Sequence, residues 1–225
     1  MSTTTQVATR ETLISTNPAT GEKLTELECA TPQEVREAVQ RARQAQPAWE
    51  ATPLKDRIVV GKRFQRKLSE QREEIAKLIS REAGKPTVEA LNTEVIVVLD
   101  STEFCIHTAH RFLRDEPLPH DNLAMKTKRG RLVREPYGVI GIIAPWNYPF
   151  STPAIETIGA LAMGNAVVLK PSEFTPLVAL ELQKLLLSAG LDPSLMQVLV
   201  GTGAVGGALV ESDIDKVIFT GSLAT

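Results

Sequence analysis

Cysteine is scarce: Cys29 and Cys105 are the two in 225 residues. They are too few for a disulfide framework and read as free thiols of a reducing compartment. No stretch approaches the roughly 18 apolar residues that a membrane-spanning helix requires, and the opening MSTTTQVATRETLISTNPAT has no apolar signal core. The expectation is a cytoplasmic protein without a membrane partner. Charge of one sign is missing too: 25 basic residues face 27 acidic ones for a net charge of -2, so no global field draws nucleic acid or an anionic surface. Internal repeats and low-complexity tracts are absent. What remains is an ordinary globular composition, 43% hydrophobic, enough for a real core.

The first half has helical punctuation. Thr31-Pro32-Gln33-Glu34 joins an N-cap threonine, a proline at the first helical position and a reciprocal glutamate. Val35, Ala38, Val39, Ala42 and Ala45 then share a face, and Pro47 is expected to end the helix. Thr52-Pro53 starts a second stretch that breaks near Ser69 and resumes to Gly84. A longer helix is expected from Thr87 to about Leu113, its buried stripe made of Val88, Leu91, Val95, Val98, Leu99, Thr102, Cys105 and Ala109. Glu116-Pro117-Leu118-Pro119 breaks it, and Lys126 to Tyr137 reads as two short extended segments around Arg129-Gly130.

After Gly138 the texture changes. Four short apolar runs, Val139–Ala144, Ala166–Leu169, Gln197–Val200 and Lys216–Phe219, alternate with helices opened at Thr152-Pro153, Thr175-Pro176 and Ala204. Strands apolar on both faces and separated by helices predict a parallel sheet covered on both sides, the βαβαβαβ half of a doubly wound, Rossmann-like α/β fold. Three parts are expected: 1–113 helical, 114–136 a β segment, and 137–225 the nucleotide-binding core.

Such sheets bind ligands beyond the carboxyl ends of their strands. Four unusual tips would gather there: Pro145-Trp146-Asn147, Lys170-Pro171-Ser172-Glu173, Gly201-Thr202-Gly203 and Thr220-Gly221-Ser222. A loop that only turned the chain would more often avoid a ring as large as Trp146. Amide, ammonium, carboxylate and glycine turns together suit a nucleotide with its phosphates and ribose hydroxyls. Gly201-Thr202-Gly203-Ala204-Val205-Gly206 matches G-x-G-x-x-G, yet it follows the third strand of the array. It reads as a tight strand-to-helix turn beside the cofactor, with Gly203 near the ligand, and not as the pyrophosphate cradle. Glu173, just past the second strand, is the better ribose ligand. With Lys170 three residues earlier, NAD is favoured and NADP stays open.

The motifs Pro145-Trp146-Asn147-Tyr148-Pro149, Lys170-Pro171-Ser172-Glu173 and Phe219-Thr220-Gly221-Ser222, in this order and spacing, closely resemble the aldehyde dehydrogenase superfamily. Asn17-Pro18-Ala19-Thr20-Gly21-Glu22 resembles that family's amino-terminal region, so the likeness covers nearly the whole chain. The resemblance implies NAD(P)-dependent oxidation of an aldehyde to a carboxylic acid through a cysteine-bound intermediate. It makes Asn147 the side-chain donor of an oxyanion hole and Ala144, Pro145 and Trp146 the wall of the cofactor site. Lys170, Ser172 and Glu173 would hold the adenosine ribose. Gly221 and Ser222 would open a helix facing the pyrophosphate. It also implies a homo-oligomer, paired through the 126–137 region.

The family's nucleophilic cysteine and general-base glutamate follow the Phe-Thr-Gly-Ser motif, whereas three residues, Leu223-Ala224-Thr225, follow Ser222 here. The chain therefore reads as an amino-terminal part, inactive alone. Two alternatives stand beside this: a non-catalytic NAD-binding module or partner of full-length homologues, and an enzyme of the same fold with other chemistry.

Plainer readings exist for single residues. Asn147 alone would pass for a turn residue, and Cys105 for a small core side chain. His107 and His110 share a helix face but lack a third metal ligand at matching spacing. Lys126, Lys128, Arg129, Arg131 and Arg134 fit a charged hairpin with a solvated face better than a nucleic-acid site.

Overall fold

A hairpin precedes the helices, where the sequence pattern shows only helix signals. In the computed structural model, which describes residues 10–119, 122, 127–223 and 225, β1 (Thr12–Thr16) pairs antiparallel with β2 (Lys23–Glu28). Its inward face carries only Leu13 and Ser15 as buried residues, too little apolar alternation to announce a strand. The turn between them is closed by the Asn17 side chain, which accepts the Ala19 amide at 2.9 Å. The first nine residues, Lys126 and Ala224 lie outside the described residues.

The capping box at Thr31 forms as read. The Thr31 hydroxyl accepts the Glu34 amide at 3.2 Å and Glu34 accepts the Thr31 amide at 2.8 Å, opening α1 (Pro32–Ala51). The helix does not stop at Pro47 but runs through it to Ala51. Tertiary bonds to the last turns offset the missing proline N–H. The Trp49 indole donates to the Leu161 carbonyl at 2.8 Å, Gln46 donates to the Gly164 carbonyl at 3.0 Å, and the buried Arg57 guanidinium donates to the Glu50 carbonyl at 3.1 Å. A cation at a helix C-terminus is electrostatically favoured as well.

α2 (Leu54–Glu70) and α3 (Arg72–Ala83) follow, and Gly84 closes α3 in the left-handed region at φ 73°. The expected long helix is three joined pieces: α4 (Thr87–Ala90), a π turn at Leu91–Val95 and α5 (Ile96–Phe112). Val95, Val98, Thr102 and Ala109 are buried, whereas Val88 is 71% exposed. The wider π turn shifts the phase of the helix, so residues before it leave the stripe that those after it occupy.

β3 (Glu116–Leu118) pairs antiparallel with β4 (Gly130–Leu132). The expected hairpin around Arg129-Gly130 is therefore not the pairing that forms; the segment read as a breaker is β4's partner. Pro117 is tolerated because this ribbon has only two strands, each an edge. Arg131 pairs with Asp115 at 2.7 Å and Arg134 pairs with Glu116, so these two cations of the basic run are answered within the ribbon.

The carboxyl half is the predicted doubly wound unit. β5 (Val139–Ile143), β6 (Ala166–Lys170), β7 (Met196–Val198) and β8 (Lys216–Phe219) form one parallel sheet in the order β7-β6-β5-β8. The intervening helices are α6 (Ser151–Ala162), α7 (Pro176–Ser188) and α8 (Gly203–Val210). β5 and β6 are buried almost throughout, while β8 at the sheet's edge is largely exposed. One hydrophobic core runs from Val39 of α1 and Phe64 of α2 through Ile142 and Leu169 of the sheet to Leu182 of α7. Among the described residues no helix is long and apolar enough to cross a membrane.

Candidate active site and cofactor edge

The chain steps β5, β6, β7 in one direction and then returns to place β8 on the other side of β5. That reversal makes a topological switch point at the carboxyl end of β5, where open α/β sheets bind ligands. Backbone bonds hold the tips together. The Ala144 amide donates to the Lys170 carbonyl at 3.1 Å, Leu199 to Leu169 at 2.8 Å and Thr220 to Ile143 at 3.1 Å. The four loops singled out in the sequence thus stand side by side along one edge.

On the β5 tip, Ala144 is buried, Pro145 is half-buried, and Trp146 and Asn147 are exposed, the indole by 57%. An indole left that open is no part of the hydrophobic core. On the β6 tip, the Lys170 ammonium lies 3.3 Å from the Glu173 carboxylate; the lysine is 4% exposed and the glutamate half-buried. The Ser172 hydroxyl turns back to accept the Phe174 amide at 3.3 Å, closing its own loop.

The glycine turn after β7 has a steric reason. A Cβ on Gly201 would sit 2.3 Å from Val205 Cγ2, whereas one on Gly203, the first residue of α8, would meet no atom within 4 Å. Gly201 serves the tight strand-to-helix turn and Gly203 leaves open space. Cys29 is buried against this turn; burial pushes its thiol up, with the Glu11 charge adding to it. Burial also pushes up the Cys105 thiol, and a raised thiol is the opposite of an activated nucleophile.

Gly221 and Ser222 stand on the β8 tip. The Thr225 amide donates to the Ser222 carbonyl at 3.2 Å and the two hydroxyls lie 2.8 Å apart, which makes a turn. His107 and His110 are exposed on α5, His107 Nδ1 lying 2.9 Å from the Glu103 carbonyl. Among the described residues no group of three or more His, Cys, Asp or Glu could hold a metal.

Residues that the sequence reading passed over buttress this edge. Glu94, fully buried in the π turn, accepts the Phe150 and Ser151 amides at 2.8 and 3.1 Å and so caps α6. Lys85 donates to Glu94 at 2.7 Å and to the Asn147 carbonyl at 3.0 Å, with its ammonium 4.0 Å from the centre of the Tyr148 ring. Glu82 caps α7 in the same way, accepting the Leu177 and Val178 amides at 2.9 and 2.8 Å and the Ser15 hydroxyl at 2.7 Å. Burial pushes its carboxyl up against the pull of these donors. Glu156 of α6 accepts from the Thr220 hydroxyl at 3.3 Å at the switch point, and burial pushes it up too. A usable signal existed: Glu82 and Glu94 both fall on apolar helical stripes, three residues after Ile79 and Leu91, and a charge there needs a partner.

The set fits a nucleotide cofactor chemically. It offers a carboxylate for ribose hydroxyls, a nearly buried ammonium, free space over a glycine-started helix and an exposed ring at the cleft wall. Comparison with known proteins agrees. The aldehyde dehydrogenase family profile matches residues 5–225. N-succinylglutamate 5-semialdehyde dehydrogenase of Novosphingobium aromaticivorans is 38% identical over 214 residues, 95% of this chain and 44% of that protein. Betaine aldehyde dehydrogenase of Cereibacter sphaeroides is 38% identical over 92% of this chain and 42% of its own length. Among solved structures, an aldehyde dehydrogenase from Bacillus cereus in complex with NAD+ superposes with a TM-score of 0.88 at 31% identity, over 94% of this chain and 43% of that one. Glyceraldehyde-3-phosphate dehydrogenase from Methanocaldococcus jannaschii, complexed with NADP, gives 0.86 at 27% identity, over 96% and 47%. The chain spans less than half the length of these relatives. With a profile match over nearly all its residues and the family's motifs on adjacent strand tips, the chain belongs to the aldehyde dehydrogenase family.

Proposed function

We propose that, in the complete protein, these residues form the NAD(P)-binding side and half of the oxyanion hole of an enzyme that oxidises an aldehyde to a carboxylic acid. The observation that carries the reading is the placing of the Asn147 loop beside the Lys170–Glu173 pair, on adjacent strand ends at a topological switch point. Bound NAD(P)+ supplies the hydride acceptor. Glu173 accepts hydrogen bonds from the adenosine ribose, and Lys170 holds that carboxylate in place. Ala144, Pro145 and Trp146 would wall the cleft, and Gly203, with open space beside it, would leave room for the dinucleotide next to the β7–α8 turn. Ser172 supports the site by closing the Lys170–Glu173 loop, and Gly221 and Ser222 line the far side of the switch point. A carboxylate at the ribose favours NAD, while the ammonium beside it leaves NADP usable.

Asn147 donates its side-chain amide to the oxygen that gains charge when a nucleophile adds to the aldehyde carbon. Such a preorganised donor is worth about 2.7–4 kcal/mol in the transition state. The proposal assigns that nucleophile to neither Cys29 nor Cys105, since both precede the motif that the family's nucleophilic cysteine follows, and burial holds both thiols up. Semialdehyde and betaine aldehyde both occur in the relatives' names, so the proposal stops at the aldehyde group. We place the enzyme in the cytoplasm as a homo-oligomer, with the β3–β4 ribbon as its subunit contact.

The test is formation of reduced cofactor by the complete protein with NAD+ or NADP+ and a panel of aldehydes, repeated with Asn147→Ala. The expected result is aldehyde-dependent reduction that falls by about 10²–10³-fold in kcat in the variant, with cofactor affinity unchanged. Cofactor binding without reduction would replace the enzyme reading by a binding module, and an unchanged kcat would remove Asn147 from the chemistry.

A further inference from the structure

We infer that Lys85 and Glu94 are positioning residues for the Asn147 amide, a role that rests on the oxyanion-hole reading above. The loop from Ala144 to Phe150 must hold a side-chain donor at a fixed point while that side chain itself stands exposed. Among the described residues the Asn147 side chain is exposed, so within this part of the protein its position is set by the backbone beneath it.

That backbone is gripped by one ion pair from another part of the fold. Glu94 Oε2 takes both amides at the loop's exit, Phe150 at 2.8 Å and Ser151 at 3.1 Å. Its Oε1 takes the Lys85 ammonium at 2.7 Å. The same ammonium donates to the Asn147 carbonyl at 3.0 Å and sits 4.0 Å from the centre of the neighbouring Tyr148 ring. Ammonium and carboxylate thus bind the peptide unit that carries the catalytic candidate and the two that end its loop.

Helix capping alone does not account for this. Phe150, the N-cap of α6, offers no side-chain cap, and Glu94 already supplies both hydrogen bonds. Lys85 supports the cap by pairing with Glu94, and beyond that pair it reaches the Asn147 carbonyl and the Tyr148 ring, neither of which belongs to the cap. Both members are held off solvent, the Lys85 side chain 10% exposed and that of Glu94 fully buried, where a hydrogen bond between charged groups is strong and directional. Glu94 reaches the loop from a π turn, the kind of irregularity that re-aims a side chain at functional sites. Gly84 and Pro86 flank Lys85 in the short link between α3 and α4, which limits how far its stem can wander.

The experiment is a double-mutant cycle on the complete protein, reading kcat, cofactor dissociation constant and thermal midpoint for Lys85→Met, Lys85→Met/Glu94→Gln, Asn147→Ala and Asn147→Ala/Lys85→Met. A small misplacement of a reacting group can cost about 10²-fold, so Lys85→Met should lower kcat by about 10- to 100-fold with cofactor affinity within about twofold. Removing both charges spares the cell of the fold a lone buried carboxylate. The Lys85→Met/Glu94→Gln protein should therefore regain thermal midpoint but not kcat. In the Asn147→Ala background, Lys85→Met should change kcat by less than about twofold, because its target is gone. An equal loss in both backgrounds, or recovery of kcat along with stability in the double variant, would overturn the inference while leaving the Asn147 reading intact. An Asn147→Ala protein with unchanged kcat would overturn both.

Discussion

Replacing Glu82 by alanine tests whether the buttress beneath the cofactor edge has been read correctly. Glu82 is 2% exposed and receives three donors, the Leu177 and Val178 amides and the Ser15 hydroxyl. Thr175, the residue that precedes α7, makes no capping bond, and its hydroxyl is buried without a partner. The carboxylate from α3 is therefore the cap of α7, and it ties β1 to the same point. Alanine leaves three donors, two of them at a helix start, out of reach of their acceptor. Each buried unsatisfied group costs about 1–3 kcal/mol, and loss of a cap alone about 0.5–2 kcal/mol. The carboxyl's own burial, which pushes its pKa up, offsets part of this. The expected net loss is about 3 kcal/mol. Glutamine keeps one acceptor but turns an N–H against a donor, for a loss of about 1–2 kcal/mol. Urea titration of the complete protein gives the total, and amide hydrogen exchange across 177–180 reports whether α7 frays locally. A loss below about 0.5 kcal/mol with unchanged exchange at Val178 would refute the reasoning.

Two further outcomes are expected. Glu173→Gln should weaken cofactor binding and narrow the preference for NAD+ over NADP+, since a neutral amide repels a 2′-phosphate less; an unchanged ratio of kcat/KM values for the two cofactors would remove Glu173 from the ribose site. The folded-state pKa of Glu156 is raised by burial above the ordinary carboxylate value of 4.5. The folded state then holds the proton more tightly, so the group's contribution to stability is greatest below that value and is lost as pH rises through the raised pKa. Comparing wild type with Glu156→Gln in urea titrations from acid to neutral pH should show this slope only in the wild type.

The element signals worked where they are local. Thr31 and Glu34 cap α1 because the whole device lies within four residues. The strands Val139–Ile143 and Ala166–Lys170 announce themselves because a strand buried on both faces is apolar along its length, here up to Leu169, with the charged Lys170 at its tip. The reading failed where distant groups outweigh local preference. Arg57 and Leu161 hold α1 past Pro47, the π turn moves Val88 out of the buried stripe, and β4 finds its partner in Glu116–Leu118 and not in its sequence neighbour.

For the candidate site the division is similar. Asn147, Lys170, Glu173 and Gly203 stand out in the chain because their residue types are costly or unusual at strand ends, and the parallel α/β pattern already sends those ends to one edge. The sequence alone therefore determines the doubly wound sheet, its helical cover and the residues at its rim. What decides how that rim is held is tertiary: Glu82, Glu94 and Lys85 lie 56 or more residues before the backbone groups they bind in α7 and the Asn147 loop, as separations of 95, 56 and 62 residues show. A carboxylate on an apolar stripe signals that a partner exists, but only the packed helices show which amide or carbonyl it meets, because hydrogen bonding depends on distance and direction in space rather than along the chain.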